Sequence, residues 1–218
     1  MKVDFISDVT CPWCAIGLTN LERAIARLGR EVRVELRLQP FELNPDIPPE
    51  GEDIEHYAAR KHGATRGDLA ARQVLIRERA AEVGLRFGVR TRVFNTFNAH
   101  RLLIWAGGAG RRRQRQLKHA LLDAYHVRGE NPGSPVVLLK AATDVELDAR
   151  DAQRVLTSDA YADEVRARVT HWQALGIDSV PSVVIADRYL LKGGRSAGYY
   201  ERALRDAANP DTGVATPA

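Results

Sequence analysis

Strand signals occur only at the two ends of this chain, and that distribution constrains its fold most. Residues 2–7 and the segment EVRVELRLQP, residues 31–40, form two apolar runs near the N-terminus. A second pair lies in SVPSVVIADRYLL, residues 179–191, around the turn-prone Asp187-Arg188. Between the two pairs, apolar residues recur at steps of three and four, which is typical of helices. We therefore predict an α/β protein whose one sheet is assembled from both ends of the chain, with a large α-helical insertion.

The first two strands and the helix between them are predicted to form a right-handed parallel βαβ unit. The helix has one apolar face, formed by Cys14, Leu18, Leu21, Ile25 and Leu28. Gly29 is predicted to end this helix. Apolar and charged residues alternate along residues 31–40, which is typical of a half-exposed edge strand. The helix then starts at the carboxyl end of the first strand, and both cysteines lie at that junction.

Composition and charge exclude several classes of function. No apolar run approaches the length that crosses a bilayer, and the N-terminus lacks the pattern of a secretory signal. We therefore expect a cytoplasmic protein without a membrane partner. The net charge is only +4, from 32 basic and 28 acidic residues. The basic run RRRQRQLKH, residues 111–119, has no aromatic or glycine-rich interleaving, so it predicts a solvent-exposed helix face and no nucleic-acid partner.

The two cysteines, Cys11 and Cys14, form the motif CPWC. A structural zinc site needs four ligands, and the chain has no second cysteine pair and no closely spaced histidine pair beyond a loose His56/His62. No metal is therefore predicted. A disulfide that closes so short a loop contributes only about 2 kcal/mol in the chain-entropy account, so a purely structural role would gain little. Redox chemistry is the interpretation that we favour.

The position of each cysteine gives the redox interpretation a physical cause. Cys11 is predicted to be the N-cap of the helix, with Pro12 as the first helical residue. Unpaired backbone N–H groups and the helix dipole at that position stabilise a thiolate, which is the nucleophile in disulfide exchange. Cys14 lies one turn further on the buried face, close enough to attack a mixed disulfide formed at Cys11.

CPWC followed by AIGLTNLERAI, the segment LGIDSVPSVVI and the helical insertion between them together resemble the DsbA family of the thioredoxin superfamily, in particular its FrnE-like branch. The resemblance covers nearly the whole chain. It implies a thioredoxin-like fold with a large α-helical insertion domain. Residues 1–50 and 173–208 would form the thioredoxin-like domain, residues 51–172 the insertion, and residues 209–218 a disordered tail.

The resemblance also implies roles for individual residues. Cys11 resembles the attacking cysteine, Cys14 the resolving cysteine, and Pro181 the cis-proline that faces them. A cis Val180-Pro181 bond would leave the backbone of Val180 free to pair with an extended peptide. Trp13, with the neighbouring proline of the CPWC motif, is expected to contact substrate.

A second segment, FNTFNAHRLL, residues 94–103, resembles one that borders the active-site cleft in this branch and in 2-hydroxychromene-2-carboxylate isomerases. His100 is its candidate substrate contact, although a structural hydrogen bond is the interpretation that we favour. Asn95 and Asn98 have the same two interpretations. Where relatives commonly have Ser-Gly-Ala-Gln, this chain has Lys-Gly-Gly-Arg, ending at Arg195, which puts an inherited glutathione contact there in doubt.

Together these features predict a cytoplasmic thiol–disulfide oxidoreductase with no bound cofactor, whose redox-active group is the Cys11-Cys14 pair. Its substrates would be protein or small-molecule thiols and disulfides, with glutathione as a candidate co-substrate. A glutathione-dependent isomerase on the same fold is one alternative, but the isomerases resembled here generally have serine at the first cysteine position. A non-enzymatic binding or chaperone-like module is the other. A monomer and a homodimer both remain open.

Overall fold

Both ends of the chain contribute strands to one four-stranded sheet, as the sequence predicts. The computed structural model describes residues 1–209, and of the predicted tail, residues 210–218 lie outside that range. In chain order the elements are β1 (Lys2–Ser7), α1 (Pro12–Leu28), β2 (Glu35–Pro40), β3 (Glu52–Asp53), α2 (Ile54–His62), α3 (Arg66–Glu82), β4 (Arg92–Val93), α4 (Phe97–Gly108), α5 (Arg111–His126), α6 (Pro135–Asp144), α7 (Ala149–Leu156), α8 (Ala162–Ala174), β5 (Ser182–Ile185), β6 (Tyr189–Lys192) and α9 (Ala197–Ala208).

The strands of the sheet are arranged in the order β2-β1-β5-β6. Strand β1 pairs in parallel with β2, where Phe5 lies opposite Leu38, and antiparallel with β5, where Phe5 lies opposite Val183. Strands β5 and β6 form an antiparallel hairpin with Val183 opposite Leu191. Strand β2 is therefore at the edge of the sheet, as its alternating pattern predicts. The α/β class with a helical insertion is confirmed.

The hairpin turn lies one residue earlier than the sequence predicts. The N–H of Arg188 donates a hydrogen bond to the carbonyl of Ile185 at 3.0 Å, so Ala186 and Asp187 are the two central residues of the turn. Both have left-handed backbone angles, with φ of 52° and 56°. Such a pair is typical of the tight turns that match the twist of a hairpin.

One hydrophobic core lies between the sheet and the helices α1 and α9. Leu18 and Leu21, on the predicted apolar face of α1, are fully buried, and Gly29 ends that helix with a left-handed φ of 54°. Tyr200 and Leu204 of α9 are also fully buried in this core. The predicted spacing of apolar residues along α1 is therefore the spacing of its buried face.

A second hydrophobic core lies within the helical insertion. Leu102 of α4, Leu117 and Leu121 of α5 and Leu138 of α6 are all fully buried there. Val9, from the loop that joins β1 to α1, packs into this second core and not into the first. The loop that leads into the CPWC motif is consequently anchored through Val9 to the core of the insertion.

The insertion is not entirely helical. Glu52 pairs with Val93, and Asp53 with Arg92, in a two-stranded antiparallel pair formed by β3 and β4. Two residues are too few to produce an alternating pattern, which is why the sequence does not reveal these strands.

The domain boundaries at residues 50/51 and 172/173 stay predictions. None of the helices in residues 1–209 is long and apolar enough to cross a membrane.

Candidate active site

Cys11 lies where β1 has ended and α1 begins. It is the N-cap of α1 in extended conformation, with φ −83° and ψ 114°, and Pro12 is the first helical residue. This is the position that the sequence predicts. The Cys11 side chain makes no hydrogen bond to the first turn of the helix. Its Sγ instead donates to the carbonyl oxygen of Val180 at 3.6 Å, because a protonated thiol can donate to a carbonyl but not to an N–H group.

Cys14 lies one turn along α1 and is fully buried. Its backbone N–H donates to the carbonyl of Cys11 at 3.1 Å. Burial raises the pKa of the Cys14 thiol well above its ordinary value, and the neighbouring Cys11 raises it further. Both cysteines are free thiols in this structure. Both cysteines therefore lie at the same end of α1, but their surroundings differ.

Cys11 lines an open cavity of about 300 Å³, which is called the cleft from here on. Pro12, Trp13 and Val180 also line it, so it brings together four of the residues that the sequence assigned to the site. The remaining lining comes from the loops after β1 and β2, from α2, α3 and the segment around β4, and from α5: Thr10, Leu43, Asn44, Ile54, Tyr57, Ala58, Lys61, His62, Leu69, Arg72, Gln73, Ile76, Arg90, Val93 and Tyr125. Cys14 does not line the cleft.

Pro181 follows Val180 at the start of the segment that leads into β5. The Val180-Pro181 peptide bond is cis, and the Pro181 carbonyl accepts a hydrogen bond from the N–H of Gly193 at 2.8 Å. A Cβ added to Gly17 of α1 would lie only 3.1 Å from Cγ of Pro181. The missing side chain of Gly17 therefore allows the proline to lie directly against the helix that carries the cysteines.

Asp8 is a fully buried carboxylate three residues before Cys11. One carboxylate oxygen accepts a hydrogen bond from the N–H of Leu43 at 2.7 Å, and the other accepts one from the N–H of Thr10 at 3.3 Å. Burial acts to raise the pKa of Asp8, but His100 and the Leu43 N–H lower it overall. Asp8 thus fixes the loop before Cys11. Sequence analysis missed this residue, although an acid directly after an apolar strand was the available signal.

His100 is buried on α4 and does not line the cleft. Its Nε2 lies 3.6 Å from a carboxylate oxygen of Asp8. The neighbouring asparagines make structural hydrogen bonds: Asn95 donates to the carbonyl of Pro45, and the side-chain oxygen of Asn98 accepts from Arg101. The two asparagines thus make structural hydrogen bonds, whereas His100 Nε2 has no hydrogen-bond partner within the described chain. The roles of all three residues stay predictions.

Two buried basic residues of α5 face the cysteine loop from the insertion. Burial lowers the pKa of Lys118, and the charges of Cys14, Asp8 and Cys11 act in the opposite direction. His126 Nε2 donates a hydrogen bond to the carbonyl of Val9 at 2.9 Å, and burial together with the charge of Arg90 lowers the pKa of His126 well below 6.5. His126 thus contacts the loop that positions Cys11, whereas Lys118 acts there through its charge.

The expectation of a solvent-exposed basic face is wrong for Lys118. This residue belongs to the run 111–119, yet only 1% of it is exposed. The reason is the helical period: Lys118 falls on the same face of α5 as Leu117 and Leu121, which pack into the insertion core. In the described part of the chain, no cluster of three or more His, Cys, Asp or Glu side chains could hold a metal ion.

Known proteins share this arrangement. The family described as DSBA-like thioredoxin domain matches residues 2–205. A probable DsbA oxidoreductase from Streptomyces coelicolor is 30% identical with a TM-score of 0.87, over 100% of this chain and 92% of that one. The uncharacterized protein YwbO of Bacillus subtilis is 24% identical over 212 residues, 94% of this chain and 96% of its own.

A second similar structure is the cytosolic disulfide reductase DsbM from Pseudomonas aeruginosa with GSH. It has a TM-score of 0.63 at 17% identity, over 98% of this chain and 100% of that one, which shows a common fold. The family match covers the strands and helices that hold the cysteine pair, the cis-proline and the insertion. The chain therefore belongs to the family of DSBA-like thioredoxin domains and is a disulfide oxidoreductase of that family.

Proposed function

We propose that this protein is a cytoplasmic thiol–disulfide oxidoreductase in which Cys11 is the nucleophile and Cys14 the resolving residue. One observation carries the assignment: Cys11 lines the cleft, whereas Cys14 is fully buried one helical turn behind it. Substrate sulfur can reach the first thiol only. The second can react only with a sulfur already bound to Cys11, which is the requirement for resolution.

The exchange has two steps when the reduced protein meets a disulfide. The Cys11 thiolate attacks one substrate sulfur, the substrate S–S bond breaks, and one thiolate leaves and takes up a proton. Cys14 then loses its proton and attacks the Cys11 sulfur, which breaks the mixed disulfide and releases the second thiolate. Two electrons pass from the cysteine pair to the substrate, and two protons leave the protein. The same steps in reverse oxidise a dithiol substrate.

The cysteine pair carries both electrons itself, so the proposal requires no bound cofactor. Pro12, Trp13 and Val180 are the proposed substrate contacts because they line the cleft beside the Cys11 sulfur. Pro181 is proposed to hold Val180 in place. His100 is better explained as a positioning residue for Asp8, since it lies behind the loop at 3.6 Å from that carboxylate.

The proposed substrates are thiols and disulfides, with glutathione as a candidate co-substrate. The support for glutathione and for the cytoplasm is the fold shared with the Pseudomonas aeruginosa reductase, which is named as cytosolic and has GSH in its structure.

Trapping the mixed disulfide tests the proposal. In Cys14→Ser, Cys11 can still attack a disulfide, but no second thiol can release the product. Incubation with glutathione disulfide should therefore leave a covalent adduct of one glutathione per chain on Cys14→Ser, detected by intact-protein mass spectrometry and removed by dithiothreitol. Cys11→Ser is the matched control, because it retains one cysteine that the cleft does not expose.

The alternatives predict other results. An isomerase that only needs a glutathione site would bind glutathione without a covalent adduct, and a binding module would behave the same in the wild type and both variants. A folded Cys14→Ser protein that forms no adduct, or equal adducts on the two variants, would contradict the proposal.

A further inference from the structure

The charge of the cleft is all of one sign. Lys61, Arg72 and Arg90 line it, with His62 beside them, and none of its lining residues is an aspartate or glutamate. Burial lowers the pKa of His62, and the charges of Arg72 and Lys61 lower it further. Both charges therefore act at the position of His62 in the cleft wall. A ligand that enters the cleft therefore meets three cations and no carboxylate in its wall.

Arg90 is the least expected of these cations. Only 9% of it is exposed, and its guanidinium lies 5.7 Å from the centre of the Tyr125 ring. In residues 1–209, no carboxylate lies within ion-pair distance of it. Burying a cation without a counter-charge is unfavourable, and a bound anion removes that cost. The planar guanidinium also suits a carboxylate in particular.

The other two cations, Lys61 and Arg72, differ in the contacts that they already make within the chain. Lys61 already donates hydrogen bonds to the carbonyl of Leu43 at 2.7 Å and to the side-chain oxygen of Asn44 at 2.8 Å. Arg72 is exposed on α3 and forms no ion pair within the described chain. Arg72 and Arg90 are thus the cations available to a ligand, with Lys61 contributing mainly its charge.

The rest of the cleft is apolar. Its wall includes Leu43, Ile54, Leu69, Ile76 and Val93, and Trp13 stands next to the reactive sulfur. A volume of about 300 Å³ lies at the lower end of the range for small-molecule sites. One small ligand can therefore touch the Cys11 sulfur, the apolar wall and the arginines at the same time.

We infer that the cleft selects disulfides and mixed disulfides that carry a carboxylate next to an apolar or aromatic group, with Arg90 and Arg72 binding the carboxylate. The inference rests on the proposed function and names its substrate class. The carboxylate holds the ligand while the Cys11 thiolate attacks the nearer sulfur, the S–S bond breaks, and the far half leaves as a thiolate. Cys14 then releases the near half by attack on the Cys11 sulfur.

Two aromatic disulfides of similar size make the test. Dithiobis(nitrobenzoate) carries a carboxylate on each ring, whereas dithiodipyridine is neutral, and each releases a coloured thiol. The second-order rate constant of the reduced, full-length protein is measured with both by stopped flow. Their ratio is divided by the same ratio for mercaptoethanol, a neutral thiol, which removes the difference in intrinsic reactivity. The result is the charge preference of the cleft.

Arg90→Gln should reduce this charge preference about tenfold, equivalent to about 1.4 kcal/mol of lost binding to the anion in the transition state. Arg72→Gln should reduce it by a smaller factor, because Arg72 is exposed and its charge is screened. Arg77→Gln is the matched control: Arg77 is also exposed on α3 but does not line the cleft, so its preference should equal that of the wild type. Since Arg72 is exposed, Arg72→Gln gives a result even if Arg90→Gln does not fold.

A charge preference that is unchanged in both cleft variants would overturn the inference. So would an equal fall in Arg77→Gln, because that would indicate attraction by the net positive charge of the whole chain. Neither result would contradict the proposed function. That function requires only that the wild type reacts with dithiodipyridine and that Cys11→Ser does not. Loss of that Cys11-dependent reaction would instead contradict the proposed function.

Discussion

The Sγ atom of Cys11 lies 3.6 Å from the carbonyl oxygen of Val180, although 169 residues separate the two in the chain. This contact joins the first helix of the sheet domain to the loop before β5. Both residues line the cleft, whereas Cys14 lies behind Cys11 and is fully buried. The pairing of the chain ends therefore places Cys11, but not Cys14, in the wall of the cleft.

The first prediction concerns the order of alkylation. In the reduced, folded protein near neutral pH, iodoacetamide should modify Cys11 before Cys14, because Cys14 is inaccessible and burial raises the pKa of its thiol. Peptide mass spectrometry after timed quenching measures the two rates. In urea the rates should become similar, which serves as the control. Faster modification of Cys14 in the folded protein would reverse the assignment of roles.

Local sequence patterns were sufficient to predict the frame of the site. The apolar spacing of α1, the N-cap at Cys11 and the glycine that ends the helix depend on interactions within a few residues, so they could be predicted without tertiary information. The hairpin was also predictable, but its turn was placed one residue late because Asp187 occurs in both candidate pairs.

The chemistry around the cysteines could not be predicted in the same way. Asp8 and Lys118 are both charged residue types that are mostly exposed in proteins. The one local signal, the position of Asp8 directly after an apolar strand, does not reveal the partners that bury it. Arg72 of α3 and Arg90, from the segment before β4, lie in one cleft with Cys11 only in the folded chain. Such long-range proximity has no local pattern, so the positive cleft appears only in the folded chain.

A second prediction concerns the close approach of Pro181 to α1. Gly17→Ala should gain about 1 kcal/mol from helix propensity but lose about 1–3 kcal/mol from crowding, since the new Cβ would lie 3.1 Å from Cγ of Pro181. We expect no net gain in the free energy of unfolding and a slower reaction at Cys11. Gly198→Ala on α9 is the control, because only the end of the Arg202 side chain lies near its added methyl.

Urea unfolding monitored by circular dichroism measures both variants. A Gly17→Ala protein that is more stable than the wild type, with unchanged reactivity at Cys11, would show that the proline and the helix are not tightly packed.

A third prediction gives the pH dependence of the loop before Cys11. Hydrogen bonds and His100 keep the pKa of folded Asp8 below its ordinary value of 3.8, despite the opposing effect of burial. The ionised carboxylate therefore stabilises the fold at neutral pH, and this contribution is lost as the pH falls below 3.8 through the folded pKa. Asp8→Asn should cost about 2 kcal/mol at neutral pH, since the buried charge-assisted hydrogen bonds are weakened.

The difference in unfolding free energy between wild type and Asp8→Asn should shrink on acidification below that value, as measured by urea unfolding at several pH values. Asp163→Asn, an aspartate whose side chain is fully exposed, is the control and should change stability by less than about 0.5 kcal/mol. A difference for Asp8→Asn that stays constant into strong acid would show that folding does not lower the pKa of Asp8.

The last prediction separates the stability of the fold from the resolving step through Lys118. The pKa of this buried lysine is lower in the folded chain than its ordinary 10.5, so the folded state binds its proton more weakly and Lys118 destabilises the fold at neutral pH. Replacing it with Met removes a buried charge and keeps an unbranched side chain, so Lys118→Met should raise the free energy of unfolding by about 1 kcal/mol or more.

The same substitution should slow catalysis. The charge of Lys118 lowers the pKa of Cys14, although burial has the larger and opposite effect. Asp8 and Cys11 also act on Lys118 through their charges, and His126 lies on the same helix as the lysine. Without that charge, Cys14 loses its proton less readily, so the pH midpoint of the resolving step should rise. Stopped-flow release of the second thiol from a mixed disulfide on Cys11 measures this step.

Lys140→Met, at an exposed lysine of α6 that is paired with Asp144, is the control and should change neither the free energy of unfolding nor the pH midpoint. A Lys118→Met protein that is more stable but resolves with an unchanged pH midpoint would show that the buried lysine does not act on Cys14.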